Sequence, residues 1–161
     1  MSEVDKVGIL MVCLGNICRS PMAWVYMDDM LRREGLENVV FVESCGTGSH
    51  FEGNGAHPEG IRTAAKHKLD LSGHVARGIR KRDFERFDYI VAMNRENLDD
   101  LQSLCPAQHQ HKLSLLLSHS ESANGVVDVP DPYYGEGSFE DVYRLVSGGC
   151  DGLLKAIRTK L

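Results

Sequence analysis

The sequence predicts an α/β fold with one parallel sheet and helices on both of its faces. Along the 161 residues, short apolar stretches of strand length alternate with longer amphipathic stretches of helix length. Connections between neighbouring parallel strands are right-handed in nearly all proteins, and their helices pack back onto the sheet. A chain of this length can bury one core, and neither an internal repeat nor a linker divides it. We therefore expect a single three-layer domain over residues 1–161.

The first predicted strand, residues 7–12, leads directly into a segment suited to bind an oxyanion. Cys13 ends the apolar run, and Gly15 and Asn16 are the two residue types that most easily adopt left-handed backbone conformations. Ser20 and Pro21 predict a helix start in which Ser20 is the N-cap. The N–H groups of such a loop and of a helix N-terminus converge on one point and form a site for phosphate.

Two side chains of this segment indicate catalysis rather than binding alone. Arg19 offers a planar guanidinium that donates to two phosphate oxygens at once. The same positive field stabilises a thiolate, which predicts that Cys13 is a nucleophile at neutral pH. A carboxylic acid outside the loop is needed to protonate the leaving group. Asp131, on a loop stiffened by prolines, is the first candidate, and Asp128 is the alternative.

The other elements are predicted from apolar periodicity and turn residues. Helices are expected at 21–33, 58–68, 94–104 and from 138 onward, a helical turn at 83–87, and strands at 39–44, 88–93 and 112–118. The polar stretch 45–57 is expected as a loop beside Cys13, and 121–137 as the loop that carries Asp131. The last helix should bury one face, formed by Phe139, Val142, Tyr143, Val146, Cys150, Leu153, Leu154 and Ile157. Gly148 and Gly149 should weaken that helix by about 1 kcal/mol each relative to alanine.

Charge, the N-terminal sequence and cysteine usage argue against several classes of protein. A formal charge of -5 offers no basic surface to nucleic acid. Residues 1–6 lack the features of a signal peptide and no apolar run is long enough to cross a bilayer, so we expect a cytoplasmic protein with no membrane partner. The five scattered cysteines predict free thiols. His109, His111 and His119 have no cysteine or carboxylate at ligand spacing, so we expect neither a metal nor another cofactor.

Two motifs resemble those of a known enzyme family. The run Cys13-Leu14-Gly15-Asn16-Ile17-Cys18-Arg19-Ser20-Pro21 is similar to the active-site signature of the low-molecular-weight protein tyrosine phosphatases, Cys-x-Gly-Asn-x-Cys-Arg-Ser-Pro. The run Asp131-Pro132-Tyr133-Tyr134 is similar to the general-acid motif of that family, in the expected place near the C-terminus. The resemblance covers essentially the whole chain and implies a four-stranded parallel sheet in the order 2-1-3-4.

The resemblance implies a metal-free phosphatase that hydrolyses phosphotyrosine and aryl phosphates. Cys13 would attack phosphorus to give a cysteinyl-phosphate, Arg19 would bind the phosphoryl group, and Asp131 would be the general acid. The remaining implied site residues are the phosphate-binding loop (Leu14, Gly15, Asn16, Ile17, Cys18 and Ser20), the supports of that loop (Ser44 and His74) and the substrate wall (His50, Phe51, Tyr133 and Tyr134). The implied partners are a tyrosine-phosphorylated protein and phosphate or other oxyanions, with a tyrosine kinase as a further candidate.

Three positions depart from the pattern of the family. His50 stands where members usually have Trp, Trp24 where they commonly have Glu, and His57-Pro58-Glu59 where they have Asp-Pro-Arg. None of these changes removes a catalytic group. They bear on substrate recognition and on the ionisation of His74.

Cys18 has two interpretations from the sequence. Five residues after Cys13 on a curved loop, its thiol is placed to trap an oxidised Cys13 as a reversible disulfide. Alternatively, Cys18 packs beneath the loop as a small apolar residue.

Two other functions stay open at this point. An arsenate reductase of related fold would pass its oxidation to a downstream pair of cysteines, and Cys45, Cys105 and Cys150 show no such pairing. A non-catalytic phospho-ligand binding module would need Arg19 and the loop, but neither a nucleophile nor Asp131.

Overall fold

Four parallel strands form the sheet of the computed structural model, which describes residues 5–161. They pair in the order β2-β1-β3-β4, and each pair is parallel. The strands are β1 (Val7–Cys13), β2 (Val40–Gly46), β3 (Tyr89–Ala92) and β4 (Leu113–Leu115). The predicted fold class and the strand order implied by the resemblance are both confirmed.

Helices cover the two faces of this sheet. They are α1 (Arg19–Arg33), α2 (Pro58–Lys66), α3 (Asp83–Arg86), α4 (Arg95–Leu104) and α5 (Phe139–Arg158), with short 3-10 segments at Ala107–Lys112, Leu116–His119 and Pro132–Tyr134. Helices α1 and α5 pack together on one face with α2 against α5, and α3 and α4 lie on the other. In the part of the chain that the structure describes, no helix combines the length and the apolar character needed to cross a bilayer.

Strand β1 is buried on both of its sides. Ile9 and Met11 face the core formed with α1 and α5, whereas Leu10 and Val12 face the core formed with α3 and α4, and none of these side chains is exposed. This double burial explains the unbroken apolar run in the sequence. Cys13 ends the strand at the point where β2 continues on one side and β3 on the other, which is where sheets of this kind bind ligands.

Strand β4 is shorter than predicted. The sequence predicts a strand at 112–118, but pairing with β3 covers Leu113–Leu115 and the chain then turns into the 3-10 segment Leu116–His119. Leu116 is fully buried in that turn, against α5. The apolar residues of this segment do not distinguish a strand from a 3-10 turn, because both need apolar side chains when they are buried.

Helix α5 lies so close to the segment Leu116–His119 that glycine is required at the contact. A Cβ at Gly152 would lie 1.7 Å from the carbonyl oxygen of His119, and a Cβ at Gly149 would lie 2.5 Å from Cγ of Leu116. The buried face predicted for α5 is otherwise present, except that Tyr143 is only half-buried and Leu145 joins it. Glycines that weaken the isolated helix thus allow its packing.

Substitution Gly152→Ala is expected to lower the free energy of unfolding by about 2–3 kcal/mol, although alanine favours a helix by about 1 kcal/mol. The new methyl group would overlap the main chain of His119, which cannot rotate away. The matched control is Gly148→Ala, whose methyl group would meet only the hydroxyls of Ser120 and Ser122. Urea unfolding of the two variants makes the comparison, and a Gly152→Ala protein as stable as the control would contradict the packing argument.

Candidate active site

The loop between β1 and α1, residues 14–18, turns its N–H groups toward one point. The carbonyl oxygens of Cys13 and of this loop are held outward by donors from neighbouring segments. The pairs are Cys13 O with Thr47 N (2.8 Å), Leu14 O with Gly48 N (3.0 Å), Asn16 O with His74 Nε2 (2.8 Å) and Ile17 O with His57 N (2.9 Å). Because the N–H and C=O of a peptide point in opposite directions, the N–H groups that follow these carbonyls face inward. A loop of this geometry at a helix start is suited to hold an oxyanion.

Asn16 sustains the turn of this loop. Its φ of +59° lies in the left-handed region, which asparagine tolerates better than most residues. Both the nitrogen and the oxygen of its buried side-chain amide form hydrogen bonds. Nδ2 donates to Ser20 Oγ (2.8 Å) and Ser44 Oγ (3.0 Å), and Oδ1 accepts from the backbone N–H of Arg77 (3.0 Å). The sequence did not predict the contact of Arg77 with Asn16, because any residue except proline can supply a backbone N–H.

Ser20 lies beside the thiol of Cys13 and does not cap α1. Its Oγ is 3.0 Å from Cys13 Sγ and 3.3 Å from the carbonyl oxygen of Cys45. Since Asn16 already donates to this hydroxyl, Ser20 keeps its own proton to donate to one of these two acceptors. The N-cap of α1 is Cys18, without a side-chain hydrogen bond, so the predicted capping role of Ser20 is wrong.

His74 supports the loop through a hydrogen bond from its neutral imidazole. Its Nε2–H donates to the main-chain oxygen of Asn16 at 2.8 Å. Burial lowers the pKa of His74, against the smaller opposing effect of this hydrogen bond. Trp24 stands 5.9 Å away between ring centroids and donates its indole N–H to Val42 O. Trp24 therefore brings no negative charge that would offset the effect of burial.

Arg19 is buried beside the loop and has one donor that the protein does not use. Its Nη2 donates to Asp131 Oδ2 (3.1 Å) and its Nη1 donates to Val129 O (3.3 Å). Its Nε is buried and has no hydrogen-bond partner among residues 5–161. An unpaired buried donor costs free energy, so this arrangement favours binding of an anion that accepts from Arg19.

Asp131 and Asp128 have different surroundings. Asp131 is only 8% exposed, accepts the backbone N–H of Tyr133 through Oδ1 and faces Arg19 with Oδ2. Asp128 instead accepts the backbone N–H of Arg95 at the start of α4 and forms an ion pair with its guanidinium at 2.9 Å. These hydrogen bonds lower the pKa of Asp128. The structure thus brings Asp131 to the loop and keeps Asp128 at the helix.

A pocket of about 260 Å³ opens over the loop. It is lined by Cys13, Leu14, Gly15, Ile17, Cys18, Arg19, Phe51, Asp131, Tyr133 and Tyr134. Of the residues expected as a substrate wall, Phe51, Tyr133 and Tyr134 are therefore at the pocket. His50 is not part of the lining and packs its ring against Phe51, with 4.6 Å between centroids.

Cys18 lines the same pocket as Cys13. Burial raises the pKa of Cys18 to about 12, and the negative charges of Cys13 and Asp131 act in the same direction. Cys18 is therefore a thiol at neutral pH. All five cysteines are free, and burial also raises the pKa of Cys45 and Cys150.

Comparisons with known proteins agree with this geometry. The sequence model of the family described as low molecular weight phosphotyrosine protein phosphatase matches residues 8–161. The low molecular weight protein-tyrosine-phosphatase YfkJ of Bacillus subtilis is 38% identical over 152 residues, which cover 94% of this chain and 96% of the relative. The low molecular weight phosphotyrosine protein phosphatase 1 of Drosophila melanogaster is 39% identical, over 91% of this chain and 94% of the relative.

Solved structures give the same assignment. The crystal structure of YfkJ superposes with a TM-score of 0.91 at 37% identity and covers 96% of both chains. The protein tyrosine phosphatase of Entamoeba histolytica, solved with Hepes in its active site, has a TM-score of 0.90 at 32% identity and covers 97% of this chain and 100% of that one. The chain therefore belongs to the low molecular weight phosphotyrosine protein phosphatase family.

Proposed function

We propose that the protein hydrolyses phosphotyrosine in proteins, and simple aryl phosphates, through a cysteinyl-phosphate on Cys13. The observation that carries this proposal is the placement of the Cys13 thiol in one pocket with a buried arginine and a buried carboxyl group. Arg19 has an unused donor for the phosphoryl group, and Asp131 lies within hydrogen-bond distance of Arg19.

In the first step the Cys13 thiolate attacks phosphorus and the bond from phosphorus to the phenolic oxygen breaks. Asp131 gives its proton to that oxygen, so that a neutral phenol leaves. The loop N–H groups and Arg19 donate to the equatorial oxygens, where charge is held in the transition state.

In the second step a water molecule attacks the cysteinyl-phosphate. The Asp131 carboxylate takes a proton from the water, the bond from sulfur to phosphorus breaks, and inorganic phosphate is released. Ser20 Oγ, 3.0 Å from Cys13 Sγ, donates to the sulfur as it regains its charge. Ser20 thereby stabilises Cys13 both as nucleophile and as leaving group.

The wall of the pocket supports an aromatic substrate. Phe51 and Tyr133 meet edge to face, with 5.4 Å between centroids, and Tyr134 continues this side of the pocket. A phenyl ring packed against these residues would place its phosphate on the loop, whereas the shorter side chain of phosphoserine would not reach.

The proposed partners are tyrosine-phosphorylated proteins and the tyrosine kinases that modify them. The need for a free thiol at Cys13 supports a reducing compartment, the cytoplasm.

Hydrolysis of a chromogenic aryl phosphate tests the reaction directly. With EDTA and a reductant present, the wild type is expected to turn over this substrate, most rapidly at mildly acidic pH. Cys13→Ala is expected to fall to the uncatalysed rate, since no nucleophile remains. Absence of wild-type turnover, with arsenate reduced or phosphate only bound, would favour an arsenate reductase or a binding module instead.

The roles of the two aspartates are separable. Asp131→Asn is expected to lower kcat on phenyl phosphate by about 10²–10⁴-fold, because the poor leaving group then departs unprotonated. The loss should shrink for p-nitrophenyl phosphate, whose leaving group needs less protonation. The matched control Asp128→Asn should stay within about twofold on both substrates. A large loss confined to Asp128→Asn would transfer the role of acid to that residue.

Cys18 is proposed to protect Cys13 from irreversible oxidation. Peroxide should inactivate the wild type, and a dithiol should restore it, because a disulfide between Cys13 and Cys18 is reducible. Cys18→Ser should recover poorly after the same treatment. Full recovery of this variant would leave Cys18 with a packing role alone.

A further inference from the structure

A second cleft adjoins the catalytic pocket on the side of α4. We define this α4 cleft by Glu96, Asn97 and Glu136, and it shares Arg19, Asp131 and Tyr134 with the catalytic pocket. A group held in the α4 cleft would therefore lie next to a phosphotyrosine bound over Cys13. The mechanism proposed above uses none of the residues that define it.

Asn97 lines this cleft and has a buried acceptor without a partner among the described residues. The residue is 3% exposed, and its Oδ1 is buried without a hydrogen-bond partner in the part of the chain that the structure describes. The backbone N–H of Asn97 donates to Asn94 Oδ1 at 2.8 Å, so the main chain already completes the cap of α4. A ligand that donates to Asn97 Oδ1 would remove the cost of this unpaired acceptor.

Carboxylates outnumber cations in the lining of the α4 cleft. Glu96, Glu136 and Asp131 line it together with Arg19, and Arg19 is already paired with Asp131 at 3.1 Å. Glu136 Oε1 accepts the backbone N–H of Asp131 at 3.2 Å, which holds this carboxylate at the cleft. A phosphate bound at Arg19 would add further negative charge, so the field favours a cation.

Two of the first backbone donors of α4 are already paired within the protein. The backbone N–H of Arg95 donates to Asp128 Oδ1 at 2.8 Å, and that of Asn97 donates to Asn94 Oδ1. The guanidinium of Arg95 is turned to the Asp128 carboxylate, which it contacts through both Nε and Nη2. These pairings leave the helix start less suited to an anion than one with all of its first N–H groups free.

We propose that the α4 cleft binds the guanidinium or ammonium group of a basic residue that neighbours phosphotyrosine in the protein substrate. One N–H of this group donates to Asn97 Oδ1, and its charge lies close to Glu96 and Glu136. This inference rests on the proposed function and deepens it, because it makes the enzyme select among phosphotyrosine sites by the charge of their flanks.

Three series of phosphotyrosine peptides separate charge from hydrogen bonding. They carry arginine, citrulline or norleucine at each flanking position in turn. At the favoured position, kcat/KM of the wild type should be about 5- to 10-fold higher for arginine than for norleucine, with citrulline between them. Citrulline keeps the N–H donors without the charge, and norleucine has neither. Equal kcat/KM for all three peptides at every position would overturn the proposal.

Variants of the α4 cleft show which residues supply the effect of charge and which supply the hydrogen bond. Each kcat/KM is divided by that for phenyl phosphate, so a general loss of activity cancels. Glu96→Gln should reduce the advantage of arginine over citrulline by about 2- to 3-fold, and Glu96→Lys should reverse it, so that kcat/KM is higher for citrulline than for arginine. Asn97→Leu should remove the advantage of citrulline over norleucine, with thermal unfolding to show that the variant is folded. The matched control is Asp100→Asn, an exposed charge on α4 outside the cleft, which should leave every ratio unchanged.

Different results would overturn the α4 cleft and the proposed function. Turnover of phenyl phosphate with no preference for basic peptides, or with a preference that Glu96→Lys does not alter, overturns the α4 cleft alone. Absence of turnover on phenyl phosphate and on all peptides overturns the proposed function and the α4 cleft with it.

Discussion

The buried amide of Asn16 is the contact on which the rest of the active site depends. A non-glycine residue with a φ of +59° is strained in isolation, and here the strain is offset by bonds to both ends of the side chain and to the main-chain oxygen. Those bonds join the loop to α1 through Ser20, to β2 through Ser44 and to the segment that contains His74 and Arg77. The same amide holds Ser20, whose hydroxyl contacts the Cys13 thiol. The position of this thiol therefore depends on the shape of the loop that is proposed to bind the anion.

A second important contact joins two segments that lie far apart in the sequence. Arg19 and Asp131 are 112 residues apart in sequence and meet at 3.1 Å. The loop that carries Asp131 is tied to the end of β3, because Val129 N–H donates to Met93 O at 2.9 Å and Val129 O accepts from Arg19. Asp131, the proposed general acid, is thus tied to the sheet as well as to residues of its own loop. In the proposed mechanism, a phosphate that competes with Asp131 for Arg19 would link substrate binding to the release of the acid.

The surroundings of the pocket divide into an aromatic side and an acidic side. Phe51 packs so close to the loop that a Cβ at Gly15 would lie 2.7 Å from its ring, which explains the glycine at this position. In the adjoining α4 cleft, Glu96 and Glu136 add negative charge beside the proposed anion site. Under the two proposals, a substrate that combines a phosphorylated ring with a basic neighbour would complement both. The shape of the pocket would then select the phosphorylated side chain, and the charge of its rim would discriminate among the segments that carry it.

The sequence alone predicted the fold class, which is confirmed, and led to the proposed chemistry, because both depend on local patterns. The doubly buried β1, the Gly15-Asn16 turn and the order of Cys13 and Arg19 are encoded within a few residues, and the helix and strand periodicities follow from burial on one or two faces. The resemblance to the family added strand order and the supports Ser44 and His74, which no local pattern indicates.

Only the tertiary structure decided contacts between segments distant in sequence. It placed the hydroxyl of Ser20 on sulfur rather than at a helix cap, turned the end of the predicted fourth strand into a 3-10 segment under α5, and separated His50 from the pocket that Phe51 lines. It also left Asn97 Oδ1 buried and unpaired beside the active site. The physical reason is common to all of these. Hydrogen-bond partners and close backbone approaches depend on three-dimensional distance, whereas a sequence pattern reports only whether a residue is buried and which local conformation it prefers.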